Sequence, residues 1–157
     1  MRGRTIGLVL VILGCGKAPV EGAVRQLGAG EAARMSFSIT GGMTGTVWKV
    51  EVDSATGAYA TSCTSQRGFN CALPERRGTL TRAQVDPLFA DAGRAEFKAL
   101  KPEYDMSGTF VDGPGYALSV VASGATREVR WSDAARPLPA ALSRVVDALR
   151  SATGTAE

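Results

Sequence analysis

Arg34-Met35-Ser36-Phe37-Ser38-Ile39-Thr40 is the stretch that decides the fold, because apolar and polar residues alternate along it one by one. Such alternation places every apolar side chain on the same face of a β-strand. Gly41-Gly42 follows immediately, and two adjacent glycines favour a tight turn. The stretch therefore predicts a first strand with one buried face and a turn after it.

The same alternation returns in later parts of the chain. Val47 to Val52 repeats it, and Ala58 to Ser62 is compatible with a further strand. Tyr116 to Ala122 and Val129 to Trp131 also alternate, and between them lies Ser123-Gly124, which favours a turn. These two segments predict a β-hairpin.

A first helix is predicted from apolar residues that recur at i, i+3, i+4 and i+7, namely Val85, Leu88, Phe89 and Ala92. A proline well inside a helix removes a hydrogen bond and clashes with the preceding turn. We therefore interpret Asp86-Pro87 as the N-cap and first helical position, after a turn at Thr81 to Val85. Gly93 ends this helix, and Lys101 to Gly115 is predicted to be a long loop.

The last helix is opened by Pro137 and Pro139, since proline suits the first helical turn. It carries one apolar stripe, which consists of Leu138, Leu142, Val145, Val146 and Leu149. Burial of five such side chains contributes about 10 kcal/mol before the cost of ordering them. The stripe therefore needs a sheet to pack against.

The element order β-β-(β)-α-β-β-α predicts an α+β fold. We expect an antiparallel sheet of four to five strands with two helices packed on one face, formed by a single domain over residues 34–152. Trp48 and Trp131 fall on the apolar sides of their strands and are predicted to pack in the core. Residues 153–157 are expected to be a disordered tail.

The start of the chain has the organisation of an export signal. Arg2 and Arg4 precede an apolar run, Ile6 to Leu13, which is much shorter than the roughly 20 residues of a membrane-spanning helix. Ile12-Leu13-Gly14-Cys15 resembles the bacterial lipobox, in which the cysteine is lipidated and becomes the new N-terminus. The alternative is an ordinary secretory signal that contains an incidental cysteine.

The lipobox resemblance implies a signal peptide over residues 1–14 and an acylated Cys15. Residues 15–33 are then a lipid-bearing tether, which as a flexible coil would reach roughly 23 Å. The expected location is the periplasmic face of the outer membrane, since Gly16 stands where an inner-membrane lipoprotein of enteric-type bacteria often has aspartate. Of the 18 basic and 15 acidic residues, Arg2 and Arg4 leave with the signal, and the near-neutral remainder argues against a nucleic-acid partner.

Three cysteines divide into one for the lipid and one pair. In an oxidising compartment Cys63 and Cys71 are predicted to form a disulfide, which would contribute about 2.5 kcal/mol by closing a short loop. Two free buried thiols are the alternative. A zinc site is a poorer interpretation, because the chain contains no histidine and two thiolates do not complete a tetrahedral site.

The sequence lacks the common catalytic motifs. There is no Gly-x-Ser-x-Gly motif, no histidine and no phosphate-binding glycine motif, so we expect neither an enzyme nor a cofactor or metal site. Glu103, Asp105 and Asp112 lack the ligand spacing of a calcium loop and are more typical of a solvated acidic loop. Gly41 and Gly42 could admit a partner's backbone, although a hairpin turn alone also explains them.

In order along the chain, four segments resemble emfourin, a family of small protein inhibitors of thermolysin-type metallopeptidases. These segments are Thr40 to Gly45, Phe97 to Leu100, Asp112 with Tyr116, and the helix from Pro139 to Leu149. The resemblance does not place the family's inhibitory contacts on named positions of this chain, and Gly41, Gly42 and Asp112 are candidates for partner-contact loops. The lipobox, the tether and the cysteine-bearing stretch Ala58 to Arg77 depart from the family's pattern.

Two functional hypotheses follow. The first is a membrane-anchored, non-catalytic binding module that inhibits a metallopeptidase or caps another exported protein. The second is a structural or envelope-assembly lipoprotein that docks a membrane partner through a sheet edge or a glycine-rich turn.

Overall fold

A computed structural model of the protein describes residues 32–41, 45–65, 75–105 and 113–155. Within these residues seven strands form one sheet. The strands are β1 (Ala33–Gly41), β2 (Thr46–Asp53), β3 (Ala58–Ser65), β4 (Arg77–Thr79), β5 (Glu103–Tyr104), β6 (Gly115–Ala122) and β7 (Ala125–Ser132). The helices are α1 (Arg82–Gly93), α2 (Ala95–Lys98) and α3 (Ala140–Thr153). Across the sheet the order is β4-β3-β2-β1-β6-β7-β5.

Strand β1 lies between β2 and β6 and pairs antiparallel with both. It contains the alternating stretch from which a first strand was predicted, and that prediction is confirmed. Met35 and Phe37 are fully buried, whereas Ser36 and Ser38 between them are not. Residues that pair across two strands lie on the same face of the sheet. The residues of β2 and β6 that pair with Met35 and Phe37 therefore also face the core.

The hydrophobic core lies on one face of the sheet. Buried residues of β1, β2, β6 and β7 form a single cluster with those of α1, α2 and α3. Trp48 and Trp131 both belong to it, as predicted. In α3 the buried residues are Leu142, Val145, Val146, Leu149 and Thr153, which include four of the five predicted stripe positions. Leu138 precedes the helix and packs against the cluster while partly exposed.

The α+β class is as expected, but the prediction of four to five antiparallel strands and two helices is wrong in its details. The described sheet has seven strands, and β5 runs parallel to β7. Strands β4 and β5 have only three and two residues, which is too short to show a periodicity. Helix α2 was not predicted for the same reason, since it has only four residues, although it buries Phe97.

Strand β5 falls inside the segment that we predicted to be a long loop. It is held by bonds from β7 to backbone carbonyls next to it: the Arg130 N–H donates to the Pro102 carbonyl at 2.8 Å, and the Ser132 hydroxyl donates to the Asp105 carbonyl at 2.8 Å. Backbone bonding of this kind depends on the position of β7 and has no signature in the local sequence.

Helix α1 begins earlier than the predicted start at Asp86-Pro87. Thr81 is its N-cap, and the Gln84 side-chain oxygen accepts from both the Thr81 N–H and the Thr81 hydroxyl at 3.0 Å. These bonds fix the first turn. Pro87 therefore lies inside the helix and leaves the Ala83 carbonyl without its usual donor. Ala83 is exposed, so water can reach that carbonyl.

The elements at the domain limits extend one residue beyond the predicted range of 34–152. Strand β1 begins at Ala33, which is buried, and α3 ends at Thr153. Thr153 belongs to the predicted tail, yet it is buried and its hydroxyl donates to the Leu149 carbonyl at 2.9 Å. Gly154 then adopts the left-handed conformation that commonly ends a helix.

Ala33, the first residue of the sheet, is hydrogen-bonded to a turn formed by residues 54–57. The Ala33 N–H donates to the Ser54 hydroxyl at 2.7 Å, and the Ser54 N–H donates to the Ala33 carbonyl at 2.8 Å. Bonds from the Thr56 backbone and hydroxyl, followed by the Ala55 N–H, hold the pKa of Asp53 below its usual value. We call this end of the sheet, formed by Ala33, Ser54 and Gly57, the entry end.

Two glycines at this end test how tightly the turn is packed. Gly57 and Gly124 both have positive φ, +71° and +77°. A Cβ on Gly57 would lie 2.4 Å from the Leu80 carbonyl oxygen, whereas one on Gly124 would meet nothing within 4 Å. We expect Gly124→Ala to cost about 1–2 kcal/mol from backbone conformation alone. Gly57→Ala should cost about 1–3 kcal/mol more, because backbone must move.

Urea unfolding of both variants measures this difference directly. Equal losses of unfolding free energy would show that the contact between Gly57 and Leu80 is not close in solution.

Candidate partner-binding surface

The end of the sheet opposite the entry end brings together segments that are distant in sequence. Gly41 pairs with Thr46, Thr40 pairs with Gly115, and Gly115 pairs with Ser132. We call this end, formed by Gly41, Gly45, Gly115, Tyr116 and Asp133, the turn end. Gly45 has a φ of +61°, a conformation that glycine adopts without strain.

Stacked aromatic rings form the floor of the turn end. The rings of Phe37, Tyr116 and Trp131 are nearly parallel and each contacts the other two, with centroid distances of 5.9 Å from Phe37 to Trp131, 5.6 Å from Tyr116 to Trp131 and 6.3 Å from Phe37 to Tyr116. Trp48 meets Phe37 edge-on at 6.1 Å. Aromatic pairs of this kind contribute about 0.5–1.5 kcal/mol each beyond the area they bury. Tyr116 is the half-buried member, so it joins the rigid core to the surface.

A carboxylate at the surface holds the Tyr116 hydroxyl. That hydroxyl donates to Asp133 Oδ1 at 2.8 Å, and Arg136 Nη2 lies 3.8 Å from the same oxygen. Partial burial, and then the bond to Asp133, raise the pKa of Tyr116 above its usual value. Both charged side chains are exposed, so the ion pair adds little stability.

A short 3-10 turn, Asp133–Ala135, positions the carboxylate. The Ser132 hydroxyl accepts from the Ala134 N–H at 3.2 Å and donates to the Asp105 carbonyl at 2.8 Å. Asp105 itself has a φ of +43°. The turn end thus offers a partner a fixed carboxylate, an exposed guanidinium and backbone that glycines leave accessible.

Of the predicted contact residues, Gly41 lies at the turn end as the last residue of β1, whereas Gly42 and Asp112 lie outside the described residues. Asp133 and Arg136 were not predicted. Their only local signal is Ser132 followed by Asp133, a pair typical of a capped turn.

Of the other predicted site residues, some are described by the structure and some lie outside the described residues. Cys63 lies on β3 opposite Trp48 and is half-buried. Cys71 and Cys15 lie outside the described residues, so the disulfide and the lipidation stay predictions. Glu103 and Asp105 are exposed, and within the described ranges no group of three or more acidic or cysteine residues is arranged to hold a metal ion.

Comparison with known proteins finds no match, either among protein-family models or among curated proteins. In the part of the chain that the structure describes, no helix is long and apolar enough to cross a membrane.

The bond between Tyr116 and Asp133 makes stability depend on alkaline pH. Since the pKa of Tyr116 is raised in the folded state, the unfolded chain loses this proton first, near the ordinary value of 10.0. Its contribution is therefore complete below pH 10 and is lost as the pH rises further. Tyr116→Phe should lose about 0.5–1 kcal/mol at neutral pH and should be less sensitive between pH 10 and pH 11.

Urea unfolding of the wild-type protein and of Tyr116→Phe at pH 8, 10 and 11 measures both effects. Parallel losses in the two proteins above pH 10 would mean that Tyr116 ionises equally well in the folded and the unfolded chain.

Proposed function

We propose that this chain is a lipid-anchored extracytoplasmic lipoprotein whose α+β domain binds a protein partner through the turn end. The observation that carries the proposal is Ile12-Leu13-Gly14-Cys15 at the end of a short apolar run. A positive N-terminal region, a run too short to span a bilayer and a small residue before cysteine all agree with acylation at Cys15.

The geometry of β1 supports separate places for anchoring and for binding. The tether enters at Ala33, and Gly41 ends the same strand eight residues later at the turn end. At about 3.4 Å per residue these ends are roughly 27 Å apart. A lipid on Cys15 therefore leaves the turn end of the same protomer uncovered. The bonds between Ala33 and Ser54 fix the backbone at the point where the tether joins the sheet.

The favoured partner is a thermolysin-type metallopeptidase. This follows from the emfourin-like segments, two of which, Thr40 to Gly45 and Asp112 with Tyr116, include residues of the turn end. The pairing of Thr40 with Gly115, next to Tyr116, brings the described residues of these two segments to one end of the sheet, although more than 60 residues separate them. Convergence of that kind is what a contact surface requires, since loops on a rigid scaffold present binding residues.

Acylation of Cys15 predicts a simple biochemical result. Wild-type protein should be found in the membrane fraction and remain there in high salt, because the attachment is apolar and several acyl chains hold firmly. Cys15→Ser should leave an unprocessed precursor, whereas Gly16→Ala should be processed normally. Mass spectrometry of the purified proteins checks this. An unmodified Cys15, or a mature chain that starts at another residue, would remove the anchoring proposal.

Binding at the turn end predicts a position-dependent loss of inhibition. The full-length chain should inhibit a thermolysin-type enzyme, and Asp133→Arg should weaken that inhibition at least tenfold by removing the carboxylate held by Tyr116. Ala83→Arg is the control, because it adds the same side chain at an exposed position of α1. Enzyme assays with each variant measure the inhibition constants.

Absence of both inhibition and a complex at micromolar concentration would eliminate the peptidase as partner. Recovery of an envelope-assembly component by crosslinking in intact envelopes would then favour the second hypothesis.

A further inference from the structure

Among the described residues, no helix covers the face of the sheet opposite the core, and we call it the open face. In the described part of the chain the buried residues of all three helices belong to the core on the other face. The outward side chains in the middle of the two central strands, β1 and β6, are small, namely Ser36, Ser38, Ala117 and Ser119. A second sheet could approach these two strands closely, because the long charged side chains of this face stand on either side of them, on β2 and β7.

One row across this open face carries acidic residues. Ser36 on β1 pairs with Glu51 on β2 and with Ser119 on β6, and Ser119 pairs with Glu128 on β7. These four residues therefore lie side by side, with a carboxylate at each end. Strands about 4.8 Å apart place β2 and β7 roughly 14 Å from each other.

The next row carries basic residues at the same two strands. Ser38 pairs with Lys49 on β2 and with Ala117 on β6, and Ala117 pairs with Arg130 on β7. The rows are two residues apart along each strand, which corresponds to about 7 Å. The open face therefore has an acidic row and a parallel basic row.

Charges of opposite sign already contact each other along each strand. Lys49 Nζ lies 2.8 Å from Glu51 Oε1, and Arg130 Nε lies 2.6 Å from Glu128 Oε1. These contacts join the two side chains of each pair, and all four side chains remain partly exposed. Each pair is therefore ordered in advance for a further contact with charges of the opposite arrangement.

We infer that the open face is the interface of a homodimer, in which a two-fold axis runs across the strands between the two rows. This axis places the acidic row of one protomer on the basic row of its partner. At β2, Lys49 of each protomer would then face Glu51 of the other protomer. At β7, Arg130 of each protomer would face Glu128 of the other. Each site becomes a square of four alternating charges.

The charges also select this axis over the other choice. A two-fold axis along the strands would place β2 of one protomer on β7 of its partner. Lys49 would then face Arg130, and Glu51 would face Glu128, so that like charges oppose each other at every site. On the outer strands, Arg77 lies at the β4 end of the acidic row and Glu103 at the β5 end of the basic row, and Arg34 and Asp53 lie in the row before the acidic one.

An apolar contact on the same face fits the same axis. Among the described residues, Val121 is a large hydrophobic residue that stays exposed, at 40%. It pairs with Arg34 one row before the acidic row, while Gly115 pairs with Thr40 one row after the basic row. The proposed axis exchanges these two outer rows. Val121 would therefore lie over the partner's glycine, where a Cβ would meet nothing within 4 Å.

The available area is sufficient for a stable dimer. Five strands and eight residues correspond to a face of about 24 Å by 27 Å, or roughly 600 Å² on each protomer. Specific interfaces bury about 1,200–2,000 Å² in total. In the dimer Gly115 of each turn end is covered by Val121 of the other protomer, whereas Tyr116 packs against the core and holds Asp133, so this pair stays outside the interface. The two turn ends lie at opposite ends of the assembly, and the dimer does not depend on whether Cys15 is acylated.

The test uses the full-length chain in neutral detergent, with its mass measured by sedimentation equilibrium in density-matched buffer. Wild-type protein should have the mass of two chains and dissociate more readily at high salt. Lys49→Glu with Arg130→Glu gives an all-acidic face, and Glu51→Lys with Glu128→Arg gives an all-basic face. Each double variant alone should dimerise at least tenfold more weakly, and an equimolar mixture should form a one-to-one heterodimer.

Arg94→Glu with Arg144→Glu is the control, because it makes the same charge change at exposed positions of the helices, which pack on the other face of the sheet. It should remain dimeric, which distinguishes the interface from two chains that merely share a micelle. Recovery of the heterodimer also shows that both double variants are folded. A monomeric wild type at 100 µM, a mixture that does not associate, or a control that dissociates equally would overturn the proposal.

Discussion

The pairing of β1 on both sides is the constraint on which the rest of the structure depends. This strand bonds antiparallel to β2 and to β6, and its register with each runs along nearly its whole length. Its alternation of apolar and polar residues therefore sets which side of all the neighbouring strands is buried. Phe37, only 1% exposed, lies at the centre of that side and contacts the rings of Trp48, Tyr116 and Trp131.

The same strand separates the surfaces to which functions are proposed. Its first residue, Ala33, is where the predicted tether enters, and its last, Gly41, belongs to the turn end. Its inward side chains belong to the core, whereas Ser36 and Ser38 belong to the open face. Within one protomer, anchoring, partner binding and self-association therefore use different residues, apart from Gly115, which belongs to the turn end and to the proposed dimer interface.

Local patterns predicted those elements that are long enough to show a period. The alternation of β1 and the hairpin at Ser123-Gly124 are examples, since each is encoded by neighbouring residues. Strand β5 depends on its bonds to β7, which is distant in sequence. Helix α1 begins at Arg82 because the bonds between Thr81 and Gln84 stabilise the first turn more than Pro87 disturbs the helix. The candidate site was predictable only at Gly41, because the bond from Tyr116 to Asp133 joins residues that the β6–β7 ladder brings together.

Hydrogen exchange of the β1 amides tests the central role of this strand most directly. If β1 is the constraint, the Met35 and Phe37 N–H groups exchange only when the whole domain unfolds. Their exchange free energies should then equal the unfolding free energy from urea titration, and should be at least as large as those of β6 and β7. Exchange of the β1 amides through a smaller local opening, while the β6–β7 hairpin stays protected, would contradict this account.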